Sequence, residues 1–275
     1  MSLISRLFFW KKNVPSIAVI RLNGIIAPSG SPIRKGLNIE NVEPLLKKAF
    51  KISKIKAVAL IINSPGGSPV QSQLIGEKIR LLSIKHNVPV LSFCEDVAAS
   101  GGYWLAASAD EIFAEKSSII GSIGVISSGF GFANAIEKLG IERRIYTSGK
   151  SKSMLDPFVE SKESEVKHLK TLQNEIHENF ISYIKDRRGS KLSSDEEEIF
   201  NGKFWTGIKA HELGLVDGLG SINKILKDRF GEDYKTIAIT QKKPFFSLGG
   251  NLIEIIVGKV LSIIEERIIW SKFNL

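Results

Sequence analysis

The stretch Ile55-Lys56-Ala57-Val58-Ala59-Leu60-Ile61-Ile62 constrains this chain more than any other. An apolar run of this kind is expected of a strand buried on both faces, as in a parallel sheet covered by helices. It stops at Asn63-Ser64-Pro65-Gly66-Gly67-Ser68, a string of turn formers. A helix is predicted from about Pro69 to His86. Asn87 and Pro89 then punctuate the chain, and Val88 to Phe93 reads as the next buried strand. Two strand–turn–helix units in succession, each with its loop at the carboxyl end of a strand, point to an α/β class. In open α/β sheets that edge is where sites form.

The same alternation extends outward. Ser16 to Leu22 is a short β-rich run and Glu40 to Ile52 reads as a helix. Glu111 to Ala114, Gly124 to Ser127 and Glu142 to Thr147 are predicted strands, with a helix from Ala133 to Leu139 between the last two. Ser148 to Asp156 is a polar loop, and Glu163 to Arg188 is a long polar-faced helix ended by Gly189. Shorter helices are expected at Ser194 to Phe200, Thr206 to Leu213 and Ile222 to Phe230. We divide the chain into an N-terminal amphipathic segment (1–15), a central domain (16–240) and a C-terminal amphipathic helix (241–275).

With 275 residues, 43% hydrophobic and 24% charged, the chain can bury a sizeable core. One cysteine, Cys94, rules out an intrachain disulfide. The net charge of +9 comes from lysines and arginines spread along the chain. No basic run is interleaved with aromatics, so nucleic acid is not an expected partner. A spanning helix needs roughly 20 apolar residues. Arg6 and Lys11 break the first segment, and Glu254, Lys259, Glu265, Glu266 and Arg267 break the last. Neither a transmembrane span nor a cleavable signal is seen, and both ends fit peripheral contact with a membrane or packing on protein. The expected location is peripheral to a membrane or cytoplasmic.

Several chemistries lack their residues. His86, His168, His177 and His211 all stand in helical, mixed-charge contexts, so a Ser-His-Asp triad has no evident base. No HExxH, Cys/His cluster or phosphate-binding glycine loop occurs, and no metal or cofactor is expected. Val97-Ala98-Ala99-Ser100-Gly101-Gly102-Tyr103-Trp104 has more to offer. Ser100 would stand at or beside a helix start. It is either an N-cap with glycines for the turn or a nucleophile, with the Gly101 N–H facing developing negative charge. Gly66 and Gly67, one strand earlier at the same sheet edge, either form a plain turn or expose an N–H to a ligand. A serine without histidine needs another base. The loop Ser148-Gly149-Lys150-Ser151-Lys152-Ser153 offers two lysines, and composition does not choose between them.

NSPGGS, AASGGYW, GSIGV and SGKSKS, in that order and spacing, resemble the signal peptide peptidase A family of Ser–Lys serine peptidases. The resemblance covers roughly Ser16 to Phe230. It implies a crotonase-like (Clp protease-like) spiral of ββα units, here with a C-terminal helical extension. It also implies Ser100 as nucleophile, Lys152 as general base with Lys150 as its neighbour, and Ser122 hydrogen-bonded to the base. Gly66, with Gly67 beside it, and Gly101 are implied in the oxyanion hole. Family members of similar length commonly begin with a membrane-spanning anchor, and this chain departs from that pattern. The implied activity is hydrolysis of short hydrophobic peptides such as remnant signal peptides, in a homo-oligomer with sites facing an interior. A crotonase-fold enzyme acting on acyl-CoA thioesters and a non-catalytic membrane-associated scaffold are the alternatives.

Overall fold

The structure is a computed structural model that describes residues 14–28, 36–193, 195–240, 267 and 270–273. The expected amphipathic segment at 1–15 and helix at 241–275 therefore lie almost wholly outside the described residues. The chain forms two units, Met1–Ile123 with Ile184–Leu275, and Gly124–Tyr183.

The first unit is built on a sheet. Its strands are β1 (Ser16–Asn23), β2 (Ile55–Ser64), β3 (Val90–Ala99), β4 (Glu111–Ala114), β5 (Ile119–Gly121), β6 (Phe204–Thr206), β7 (Gly218–Leu219) and β8 (Lys235–Ala238). The main path runs β6-β5-β3-β2-β1-β8, with β4 joining β3 to β7. All pairings are parallel except β5 with β6. The apolar run becomes β2, with neighbours on both sides. Successive side chains alternate between faces. Ala57 and Ala59 join Ile17, Leu91, Phe93 and Phe113 in a cluster with Leu226, which lies on helix α8 (Ile222–Phe230). On the other face Val58, Leu60 and Ile62 are equally buried.

Helices α1 (Ile39–Phe50) and α2 (Pro69–His86) follow β1 and β2. Each begins where a short polar side chain accepts an N–H of the first turn: Asn38 from Asn41, and Ser68 from Gln71. Pro69 opens α2, and Asn87, at φ 49°, ends it in the left-handed region. Helix α3 (Gly101–Ala107) follows β3 directly and is buried along its whole length.

β3 runs further than the sequence suggests. The predicted strand stops at Phe93, before Glu95 and Asp96. Instead the register shifts there: Ile62 pairs with Cys94, but Ser64 pairs with Ala98. The two acids stand in this irregularity. Glu95 pairs with Arg21, and Asp96 accepts from Asn63 Nδ2 at 2.6 Å. β3 therefore pairs with β4 through Leu91–Cys94 and with β5 through Val97–Ala99. The strand predicted at Gly124–Ser127 is absent. Its place is taken by Ile119–Gly121, which the preceding Ser117 and Ser118 made easy to miss. Ser118 Oγ accepts from the Glu115 N–H and donates to the Cys94 carbonyl, at 3.0 and 3.1 Å, and so fixes that turn.

Helix α5 (Glu163–Arg188) ends in the first unit. Arg188, only 4% exposed, donates to Asp217 at 2.8 Å and to the Gly214 carbonyl at 2.7 and 2.9 Å. Asp217 also accepts from the Ile112 N–H at 2.8 Å and from Lys191 at 2.7 Å. Two short helices, α6 (Glu196–Phe200) and α7 (Gly207–Glu212), lie between these partners in the chain.

The second unit, Gly124–Tyr183, contains helix α4 (Ala133–Lys138) and most of α5. α4 buries no residue. The strand predicted at Glu142–Thr147 is irregular and exposed. Its charged pair, Arg143 and Arg144, serves other partners: Arg143 binds Asp156 and Arg144 binds Glu142.

Burial alone would raise the Asp217 carboxyl, but its bonds from Arg188 and Lys191 outweigh that and hold it below its ordinary 3.8. A carboxyl lowered in the folded state contributes stability that is complete above its unfolded value and lost as pH falls through the folded one. Thermal unfolding followed from pH 7 down to about 3 should therefore show a steeper loss of Tm below about pH 4 in the wild type than in Asp217→Asn. Parallel curves would contradict this role.

Candidate active site

β3 delivers Ser100 directly into α3. The serine adopts φ 52° and ψ −124°, and its side chain makes no capping hydrogen bond. Ser100 thus stands at the N-cap position of α3 without the side-chain bond of a capping serine. A β-carbon in this region of backbone space costs of order 1–3 kcal/mol, and such residues gather at functional sites. The turn is held by the Ser100 N–H donating to the Gly121 carbonyl at 2.8 Å, and by the Trp104 N–H donating to the Ser100 carbonyl at 3.0 Å.

Next in sequence after Gly121 comes Ser122, at φ 53° and 7% exposed. Its N–H donates to the Lys203 carbonyl at 2.7 Å. The β5–β6 pair thus clamps the segment, and Trp205 lies where a β-carbon on Gly121 would project, at 2.7 Å. Ser122 is therefore carried on the same backbone element that anchors Ser100.

The double-glycine loop at the end of β2 meets this turn. A β-carbon on Gly66 would sit 2.8 Å from the Ala99 carbonyl, the Gly101 N and the Ser100 Cβ alike. Gly66 also has φ 99° and Gly67 φ 141°, the left-handed region that favours glycine. On its other side the loop is stitched to Ile26: the Ile26 N–H donates to the Gly66 carbonyl and the Ser68 N–H to the Ile26 carbonyl, both at 2.8 Å. This bridge occupies one edge of the Gly67 backbone and turns its own N–H to the opposite edge. There the Gly67 N lies 3.4 Å from where a β-carbon on Gly101 would be. Gly66 differs, because its N–H donates to Ser64 Oγ at 3.2 Å.

The sequence-predicted residues Ser100, Ser122, Gly66, Gly67 and Gly101 all belong to the first unit. Lys150 and Lys152 belong to the second. Lys152 is exposed in a chain of turns, with its N–H donating to the Gly149 carbonyl at 3.2 Å. The segment is tied down just beyond it. Leu155 N–H donates to Glu165 at 2.9 Å. Asp156 accepts from Phe158 N–H and from Arg143, which hold its carboxyl below the ordinary range.

Other nucleophiles and bases recede. Cys94 is buried on β3, and burial pushes its thiol up to about 12, against a weaker pull from Arg188. His86 stands at the end of α2, about 27 Å along the helix from Ser68 at roughly 1.5 Å per residue. His168 and His211 are exposed on their helices. Among the described residues no group of His, Cys, Asp and Glu assembles as a metal site, and no helix is long and apolar enough to cross a membrane.

Sequence reasoning missed several supports. Ser72, fully buried on α2, stands behind Gly101, and the Ser64 carbonyl stands where a β-carbon on Gly102 would go. Phe273 packs on Val97 and Ala99 beside Ile119 and Trp270, and edge-on to Phe204 with ring centroids 5.2 Å apart. The described end of the C-terminal segment therefore packs on its own chain. The spacing of Ser64 two residues before Gly66 was a usable signal. The others depend on contacts between distant segments.

A strained serine at a helix start, met by a glycine loop from the adjacent parallel strand, is the architecture of the ClpP-like α/β class. The model of the ClpP-like SDH-type serine proteinases matches residues 3–140, and that of peptidase family S49 matches residues 83–230. The chain belongs to peptidase family S49. It is 33% identical over 207 residues to a putative signal peptide peptidase SppA of Enterococcus faecium, covering 74% of this chain and 60% of that protein. It is 43% identical over 272 residues to a Brucella abortus (strain 2308) protein named Na(+)/H(+) antiporter NhaA, covering 94% of this chain and 37% of that one. The chain thus spans between about a third and three fifths of the length of these relatives. A variant of the membrane-bound stomatin-specific protease 1510-N shares the fold at a TM-score of 0.50 and 15% identity, over 83% of this chain and 99% of that one.

The glycine contacts are testable. Gly66→Ala should cost about 2–4 kcal/mol, from overpacking plus an unfavourable φ. Gly67→Ala should cost more, because its β-carbon would meet the Ile26 carbonyl at closer range than any contact at Gly66. Denaturant unfolding of both variants gives the ranking. A neutral Gly67→Ala would contradict the described bridge to Ile26.

Proposed function

We propose that the chain is a serine endopeptidase that cleaves short apolar peptides, remnant signal peptides among them, through Ser100 and Lys152. The observation that carries this reading is the pairing of a strained, uncapped Ser100 with the amides of Gly67 and Gly101 on adjacent segments. Family membership supports it, and so does the name of the Enterococcus faecium relative.

In this reading Lys152 acts in its neutral form. Its Nζ takes the proton from Ser100 Oγ as Oγ bonds to the peptide carbonyl carbon. Negative charge passes to the carbonyl oxygen, which accepts from the N–H groups of Gly67 and Gly101. Two such donors in a site closed to water provide the largest stabilisation, and removing one typically costs about 3 kcal/mol. Gly67 suits the role better than Gly66, whose N–H already donates to Ser64. The protonated lysine gives its proton to the leaving nitrogen as the C–N bond breaks. Water, deprotonated by the same lysine, then releases the acyl group. Ser122 holds Lys152 in place. The dyad forms within one chain or between copies.

A homo-oligomer belongs to the same proposal. The second unit exposes Phe130, Leu139 and Tyr146 at 81, 73 and 91%, apolar side chains that a second copy would cover.

Ser100→Ala and Lys152→Ala should each lower kcat/KM on a fluorogenic apolar peptide by about a thousandfold or more, with circular dichroism unchanged. Lys150→Ala should stay active. Full activity in Lys152→Ala would remove the lysine from the mechanism.

A further inference from the structure

Ser64 is the last residue of β2 and is fully buried. Its Oγ accepts from the Gly66 N–H at 3.2 Å. Its carbonyl lies against Gly102, where any β-carbon would collide with it. Its backbone pairs with Ala98, two residues before the nucleophile. One small side chain therefore touches the glycine loop while its main chain touches both the strand and the helix that flank Ser100.

We propose that Ser64 is the positioning residue of the oxyanion hole, and that its hydroxyl decides which glycine serves as donor. This rests on the peptidase reading above. Gly66 and Gly67 present consecutive N–H groups, and a flexible double glycine can turn either one inward. The Ser64 hydroxyl captures the Gly66 N–H within the loop. With Ile26 bonded to the Gly66 carbonyl on the other edge, the peptide plane between Gly66 and Gly67 is fixed, since each plane joins one residue's carbonyl to the next residue's N–H. The carbonyl faces Ile26, so the Gly67 N–H on the same plane faces the opposite way, toward Gly101. The donor is thus preorganised before substrate arrives, which is where such hydrogen bonds gain their catalytic value. Pro65 between Ser64 and Gly66 brings no N–H of its own to compete for the hydroxyl.

The test has an arm that reads the loop and an arm that reads catalysis. In the full-length protein, NMR hydrogen exchange should show the Gly66 amide protected and the Gly67 amide exchanging faster. In Ser64→Ala the Gly66 amide should exchange at least about tenfold faster. With a fluorogenic apolar peptide, Ser64→Ala should lower kcat by about ten- to a hundredfold, less than outright loss of a donor, with KM within about twofold. Ser64→Thr and Ser64→Val add the same volume but differ in the hydroxyl. Thr should recover kcat relative to Val, which a merely structural role for the side chain would not produce. The proposal is overturned if Gly66 exchanges as fast as Gly67 in the wild type, if Ser64→Ala keeps the wild-type kcat, or if Thr and Val are equally impaired. Wild type and Ser100→Ala equally inert toward peptides, with the Gly66 protection and its loss in Ser64→Ala both present, would sink the peptidase reading while the loop geometry stands.

Discussion

The first unit depends on one close approach, that of the Gly66–Gly67 backbone to the turn at Ser100. Backbone packs on backbone there. A single β-carbon on Gly66 would stand 2.8 Å from three separate atoms. Gly101 and Gly102 are under the same restriction from the other direction, facing Ser72 and Ser64. Side chains removed from all four positions let two strand ends converge until their amides share one small space. Sheet register decides where they converge. β2 and β3 are in step up to Ile62 and Cys94, and the shift beyond that point brings Ser64 opposite Ala98.

The shift makes a second arrangement possible. By letting Glu95 and Asp96 leave the regular ladder, β3 ends its partnership with β4 and takes up β5. The strand that carries the nucleophile is then supported by one neighbour along its first half and by another beside Ser100. β5 in turn brings Gly121, whose carbonyl holds the Ser100 N–H, and Ser122 after it. A strained φ at Ser100 persists because hydrogen bonds on both sides of it over-determine the turn.

Elsewhere in the first unit a buried ion pair supports β4. Arg188 binds Asp217 and the Gly214 carbonyl, and Asp217 reaches the Ile112 N–H on β4. A buried guanidinium is tolerated because its donors find both a carboxylate and a carbonyl. The lysine loop has a separate order of its own in the second unit, through Arg143, Asp156 and Glu165. Nucleophile and candidate base are thus borne by units with independent internal supports.

The sequence by itself determined the parallel sheet, since Ile55–Ile62 and the following strand have no polar face to offer to water, and it marked the glycine loop, Ser100 and α2 nearly to the residue. These are local properties: hydrophobic period, turn chemistry and capping. It misjudged β3 because Glu95 and Asp96 look like a strand end until Arg21 and Asn63, far away in the chain, supply their partners. It placed a strand at Gly124–Ser127 instead of Ile119–Gly121 because a three-residue strand is defined by what it pairs with. Only the tertiary structure decided that the Gly66 carbonyl takes the Ile26 N–H and that the Gly67 N comes to lie beside Gly101. The orientation of a peptide plane between two glycines is set by the carbonyls and amides of other segments, and nothing in the two glycines themselves encodes it.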